Sequence, residues 1–114
     1  MENIFFSVII PTYNQANLLK KAISSVIQQS FVNFELIIID NYSDDETNKI
    51  VESFDSSKVI YKKIHNKGII GKSRNEGIKI SRGKWIAFLD SDDSWYPKRL
   101  ELIFNFLKKN TLYD

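Results

Sequence analysis

The chain has no cysteine among its 114 residues, which excludes a disulfide framework and any thiolate metal site. It has one histidine, His65, on a loop of its own, to which the sequence gives no role. Long apolar runs are also missing. The most apolar stretches, residues 5–10 and 36–39, fall far short of the roughly 20 residues that a membrane span needs. No basic segment followed by an apolar stretch marks the N-terminus as a secretion signal. The expectation is a cytoplasmic protein, with peripheral attachment at the inner membrane face as an option. Repeats, linkers and low-complexity tracts are absent as well, so one domain over 1–114 is expected.

Charge of one sign is scarce too. The formal net charge is only +2, which does not suit a nucleic-acid binder. Its distribution is uneven. Residues 1–57 carry three Lys/Arg against eight Asp/Glu, and residues 58–114 carry thirteen against six. The basic half also contains the acidic run Asp90-Ser91-Asp92-Asp93. Cations and anions brought into one region suit a metal–phosphate ligand better than a uniform polyanion.

What the chain does have is a strand-then-helix pattern repeated four times. Strand-like runs are expected at 5–10, ended by Pro11, at 34–39, at 59–64 and at 85–89. The second is almost wholly apolar, as a strand buried on both faces must be. The third is more polar and is placed at an edge. The strand of Trp85 is expected to be buried. Asn14–Asn17 and Asp44–Glu46 are expected to open the first two helices. Gly68 and Gly71 open a loop before a helix over about 72–80, with Gly83 in its C-cap position. Pro97 is expected in the first turn of the last helix. This alternation predicts a Rossmann-like, doubly wound α/β fold with a mainly parallel sheet of strand order 3-2-1-4. Its ligand crevice should lie at the carboxyl ends of strands 1 and 4, where the order reverses.

Polar residues crowd those ends. Strand 1 delivers Pro11, Thr12, Tyr13 and Asn14; strand 2 delivers Asp40 and Asn41; strand 4 delivers Asp90, Ser91, Asp92 and Asp93. Neighbouring carboxylates repel one another unless a cation sits among them. With hard oxygens as the only donors, Mg²⁺, Mn²⁺ or Ca²⁺ is favoured over zinc. Asp90 and Asp92 could supply the one or two carboxylates such an ion takes, leaving the rest of its shell to phosphate and water. The segment from Gly68 to Asn75 could offer helix-start N–H groups to phosphate, and Arg74 a bidentate guanidinium. Tyr13 could present a ring face to a base, and Asp40 or Asn41 could accept from base or ribose. Trp85 and Trp95 are read as core, with a sugar-facing role open to Trp95.

Four strings in order resemble glycosyltransferase family 2: Ser7 through Asn14, Glu35 through Asp40, Gly71 through Arg74-Asn75 to Gly77, and Ala87 through Asp93 with Pro97 behind. The resemblance implies a GT-A fold and inverting transfer of a sugar from a nucleotide diphosphate, with a UDP-sugar as the expected donor and thymidine or guanosine diphosphates as options. It implies that Pro11, Thr12 and Tyr13 border the nucleoside and that Asp40 and Asn41 contact the base. Arg74 would lie near the nucleotide, and Asp90-Ser91-Asp92 would be the DxD motif holding Mn²⁺ or Mg²⁺. Many members have a second acid, then Gly-Ser, where this chain has Asn41-Tyr42-Ser43. Members also run well past residue 114, and that later half supplies the carbohydrate or lipid-linked acceptor site and the catalytic base. The resemblance therefore implies a donor-binding portion that transfers little or no sugar alone. Two other readings follow from the residues. One is a nucleotide- or metal-binding module that needs a partner, with an exposed sheet edge open to self-association. The other is a P-loop NTPase built on Gly71-Lys72-Ser73, although Asn66 stands where its first glycine belongs. A phosphatase with a strand-end DxD is disfavoured, because that motif belongs on a first strand.

Overall fold

A computed structural model describes residues 3–110; residues 1–2 and 111–114 of the expected domain lie outside the described residues. The elements run β1 (Phe6–Thr12), α1 (Ala16–Ile27), β2 (Phe34–Asp40), α2 (Thr47–Glu52), β3 (Val59–Lys63), α3 (Ile70–Ile80), β4 (Trp85–Phe88) and α4 (Arg99–Lys109). The four strands form one sheet in the order β3-β2-β1-β4, and each pairing is parallel. The expected Rossmann-like doubly wound architecture is what forms.

Alternation along the strands divides the core. Phe6, Val8, Ile10, Leu36 and Ile38 face one side, where they pack with Leu19, Ile23 and Val26 of α1 and Leu100 of α4. Ile9, Ile37 and Ile39 face the other, against Ile60, Ile80 and Ile86. Strands β1 and β2 are therefore buried on both faces along their whole length. On the α3 side Gly77 lies so close to β1 that a Cβ there would stand 2.6 Å from Ile9 Cγ2.

Several local expectations need correction. Strand β1 runs through Pro11 to Thr12 instead of ending at it. Ile9 accepts from the Leu89 N–H on the β4 side. Alternate residues of a strand face the same neighbour, so the donor that proline lacks falls where β4 has already ended. β4 is a partly exposed edge and not a buried strand, with Phe88 43% exposed. α3 starts at Ile70, two residues early, and its C-cap is Ser81 in extended conformation. Gly83 serves a different purpose from capping: a Cβ there would sit 2.6 Å from the Ser7 backbone N. α4 begins at Arg99 after Lys98, so Pro97 lies in the turn before the helix and not in its first turn.

A buried polar knot holds the end of the sheet away from the crevice. Glu35, 2% exposed, accepts from Ser7 Oγ and from the Arg82 backbone N–H, each at 2.6 Å, and from Arg82 Nε at 3.1 Å. Ser7 Oγ in turn accepts from the Gly83 N–H. The knot ties the chain entering β4 to β1 and β2.

Candidate functional site

The strand ends deliver their polar residues to one end of the sheet. A cleft of about 410 Å³ opens there, lined by Pro11, Thr12, Tyr13, Gln15, Asn66, Ile70, Arg74, Asp90, Ser91 and Asp92. It lies at the switch point between β1 and β4, as the topology requires. Six residues singled out in the sequence (Thr12, Tyr13, Arg74, Asp90, Ser91 and Asp92) meet on its walls with Pro11. Asp40 and Asn41 do not line it.

The β1 wall carries Tyr13, whose side chain is largely exposed, and Thr12, whose buried Oγ1 has no hydrogen-bond partner. The β4 wall is the turn after Leu89. Ser91 is buried and donates to Gln15 Oε1, which joins the two walls. Asp90 and Asp92 are both exposed on the same cleft. The Arg74 guanidinium approaches Asp90 Oδ1 at 3.3 Å, and Arg74 also stands over the Phe88 ring. Asp93 turns to the other side of this turn, into a groove with Trp95, Tyr96 and Arg99, and accepts from the Ser94 N–H. Trp95 packs against the core and takes Arg99 on its ring at 5.3 Å.

Asp40 lies behind the cleft, 1% exposed. Its Oδ1 accepts from the Ser43 N–H and Oγ–H, and its Oδ2 accepts from Tyr61 OH at 2.5 Å. Burial, then the hydrogen bond and charge of Asp40, raise the Tyr61 phenol well above its ordinary pKa. Asn41 accepts the Asn66 N–H at 2.8 Å on its Oδ1. Beside them the rings of Tyr42 and His65 stack at 4.0 Å between centroids.

The first two loops are tied across the same end. α1 lacks a side-chain cap of its own; Asp45 from the next loop accepts the Ala16 N–H instead. Burial pushes the Asp45 carboxyl upward, but hydrogen bonds from Thr47 and Ala16 outweigh this and hold it below its usual value. Asn14, at φ +49°, accepts the Asp44 N–H and donates its own N–H to Ser43 Oγ.

Among the described residues no three carboxylate or imidazole groups converge. The donor set on the cleft is two hard carboxylates, Asp90 and Asp92. That fits a divalent ion completed by phosphate oxygens and water, and does not fit an all-protein cage. Gly71-Lys72-Ser73 lie within α3, and Ser73 is fully buried and bonded to Asn66. No P-loop forms there. Gln15 and Asn66 were not singled out in the sequence as site residues, and Ile70 was named only within the Gly68–Asn75 segment. Gln15 directly follows the strand-1 string, which is the only signal that could have found it.

The family model described as Glycosyl transferase family 2 matches residues 7–113. The UDP-Glc:alpha-D-GlcNAc-diphosphoundecaprenol beta-1,3-glucosyltransferase WfgD of Escherichia coli is 37% identical over 113 residues, covering 98% of this chain and 44% of that protein. The poly(ribitol-phosphate) beta-N-acetylglucosaminyltransferase TarP of Staphylococcus aureus (strain N315) is 38% identical over 109 residues, covering 91% and 33%. The crystal structure of S. aureus TarS 1-349 in complex with UDP-GlcNAc matches with a TM-score of 0.88 at 32% identity, covering 93% of this chain and 32% of that one. The mannosyltransferase PcManGT from Pyrobaculum calidifontis, in complex with GDP-Man and Mn²⁺, matches in fold with a TM-score of 0.74 at 23% identity, covering 90% and 31%. The chain thus spans less than half the length of these relatives.

Proposed function

The chain belongs to glycosyl transferase family 2, and from that membership we propose that it is the donor-binding part of an inverting glycosyltransferase using a UDP-sugar. One observation carries the reading. The cleft gathers an aromatic ring, a guanidinium and two carboxylates at the switch point of a GT-A sheet. The names of the E. coli relative and of the S. aureus complex both include UDP-sugars, which supports uracil over thymine or guanine.

Each residue has a part in this reading. Pro11, Thr12 and Tyr13 border the nucleoside, with the Tyr13 ring against the base. Asp40 fixes the end of β2 through Ser43 and Tyr61. Asn41 holds the loop before α3 by accepting the Asn66 N–H on its Oδ1. Arg74 pairs with the diphosphate, and Ser91, held by Gln15, sets the turn that carries the acids. Asp90 and Asp92 would hold Mn²⁺ or Mg²⁺, which when bound supplies the Lewis-acid charge that stabilises the leaving diphosphate. Arg74 contacts Asp90 in the structure and can move to phosphate when a cation takes its place on that carboxylate.

Inversion needs a base on the acceptor side. Among the described residues the only carboxylates on the cleft are Asp90 and Asp92, and both are assigned to the cation. The 114 residues by themselves are therefore expected to bind donor and to transfer little or no sugar. A longer polypeptide would take a carbohydrate or lipid-linked acceptor. A lipid-diphosphate acceptor, such as the one in the E. coli relative's name, would set the reaction at the cytoplasmic face of the membrane. A second reading is favoured by the open β4 edge: a module completed by a partner, including a second copy of itself.

Calorimetric titration of UDP, dTDP and GDP in the presence of Mg²⁺ tests the assignment. UDP is expected to bind tightest. No heat from any of the three would overturn the proposal, and tighter GDP binding would overturn the choice of base.

A further inference from the structure

Asn66 stands on the cleft wall yet is only 5% exposed. A buried primary amide must find partners for both its ends, and this one has them. Its Oδ1 accepts the Gly68 N–H at 2.8 Å. Its Nδ2 donates to Ser73 Oγ at 2.9 Å. Its backbone N–H donates to Asn41 Oδ1 at 2.8 Å, and its carbonyl accepts the Ile69 N–H at 2.9 Å. One residue therefore bonds to the end of β2, to the turn before α3 and to the first turn of α3 itself.

The turn needs such a brace. Lys67 and Gly68 both take positive φ, 55° and 78°, which costs energy at the lysine. The N-cap of α3 is Ile69, which has no side chain able to cap. No side-chain cap therefore fixes where this helix starts. Two residues of the first turns, Ile70 and Arg74, line the cleft together with Tyr13 and Gln15. Ser73 precedes Arg74 directly. The stacked rings of Tyr42 and His65 add a second contact between the same two loops, one residue from the Asn41–Asn66 bond on each strand's exit.

We infer that Asn66 is a positioning residue for nucleotide diphosphate: by locking the 66–69 turn to Asn41 and Ser73 it fixes the place of Arg74 on the cleft. The inference rests on the UDP-binding reading given above. Asn66 would act on the diphosphate through Arg74, its own amide being engaged by Gly68 and Ser73. The bond can thus be broken from its far end, at Ser73, which is fully buried and does not line the cleft.

The test is UDP affinity in the presence of Mg²⁺ for wild type, Asn66→Ala, Ser73→Ala and Arg74→Ala, and for the two double variants that combine Asn66→Ala with each of the others. Circular dichroism melting of each sets the titration temperature well below its unfolding. Asn66→Ala and Ser73→Ala are each expected to weaken UDP roughly tenfold, the scale of losing one well-placed hydrogen bond. Each double variant should bind no more than about twofold weaker than the worse of its two parents, because the residues act as one unit. Should Asn66→Ala fail to fold, Ser73→Ala still decides. Folded Ser73→Ala with unchanged UDP affinity, or losses at Asn66 and Arg74 that multiply independently, would overturn the inference. Failure of wild type to bind UDP would instead overturn the reading on which it rests.

Discussion

At the scale of single residues, the bond between Tyr61 and Asp40 sets a measurable pH dependence. The phenol is raised above its ordinary value of 10.0 by burial first and by the Asp40 carboxylate second. The unfolded chain loses this proton near pH 10, while the folded chain retains it. The bond's contribution is therefore complete below about pH 10 and declines as pH rises toward the folded group's higher pKa. Urea unfolding of wild type should lose more stability between pH 8 and pH 11 than Tyr61→Phe does. Equal losses in the two proteins would show that the bond contributes nothing to folding. Asp40 was legible as a strand-end acid. Its engagement was not, because Tyr61 comes from a neighbouring strand and only the β2–β3 register brings the two together. Thr12, Tyr13, Arg74, Asp90 and Asp92 were legible for the opposite reason: polar residues that directly follow an apolar strand, or open a helix, have few places to go. Asn66 and Gln15 depend on how loops fold against each other, which no local pattern encodes.

At the scale of elements, the glycines separate two kinds of demand. Gly83 lies against the Ser7 backbone, and a Cβ placed on it would meet Ser7 N and Oγ at 2.6 Å. Backbone cannot yield as a flexible side chain can, so Gly83→Ala should cost about 3 kcal/mol. Gly71 sits in the first turn of α3 with nothing within 4 Å of a built Cβ. Gly71→Ala should stabilise by up to about 1 kcal/mol from helix propensity alone. Guanidinium denaturation of both variants checks the opposite signs; a stabilised Gly83→Ala would contradict the close approach of β1 and the chain entering β4. The elements themselves were readable from apolar runs and helical spacing. Their ends were less so. α1 borrows its cap from Asp45, 29 residues beyond Ala16 in the fold's next loop, and α3 is braced by Asn66. The expected roles of Gly83 and Pro97 failed because both were assigned from local turn chemistry, while the packing of β4 and the turn at 97–98 decided them.

At the scale of the whole molecule, the described residues extend 44 × 27 × 25 Å, with β4 at one open edge of the sheet. That edge presents Phe88 at 43% exposure, and Leu102 and Phe106 of α4 are exposed as well. The 114-residue chain is expected to self-associate with rising concentration, and Phe88→Lys to weaken this by placing charge on the edge. Sedimentation velocity from low to high micromolar concentration measures it; a monomer throughout would contradict the proposed association. The sheet order 3-2-1-4 was legible because a buried, all-apolar β2 and a polar β3 leave few arrangements. The exposure of β4 was not, since Trp85 through Leu89 is as apolar as a central strand.

The central claim is that Asp90 and Asp92 hold a divalent cation that binds together with a nucleotide diphosphate. Titrating UDP into wild type and Asp92→Asn, each with Mn²⁺ and with EDTA, tests it most directly. Wild type should bind at least roughly tenfold tighter with Mn²⁺ than without, the scale of one lost charged ligand. Asp92→Asn should bind alike in both conditions while its far-ultraviolet circular dichroism stays that of wild type. UDP affinity in wild type that ignores Mn²⁺, or a metal effect that survives in Asp92→Asn, would contradict the account.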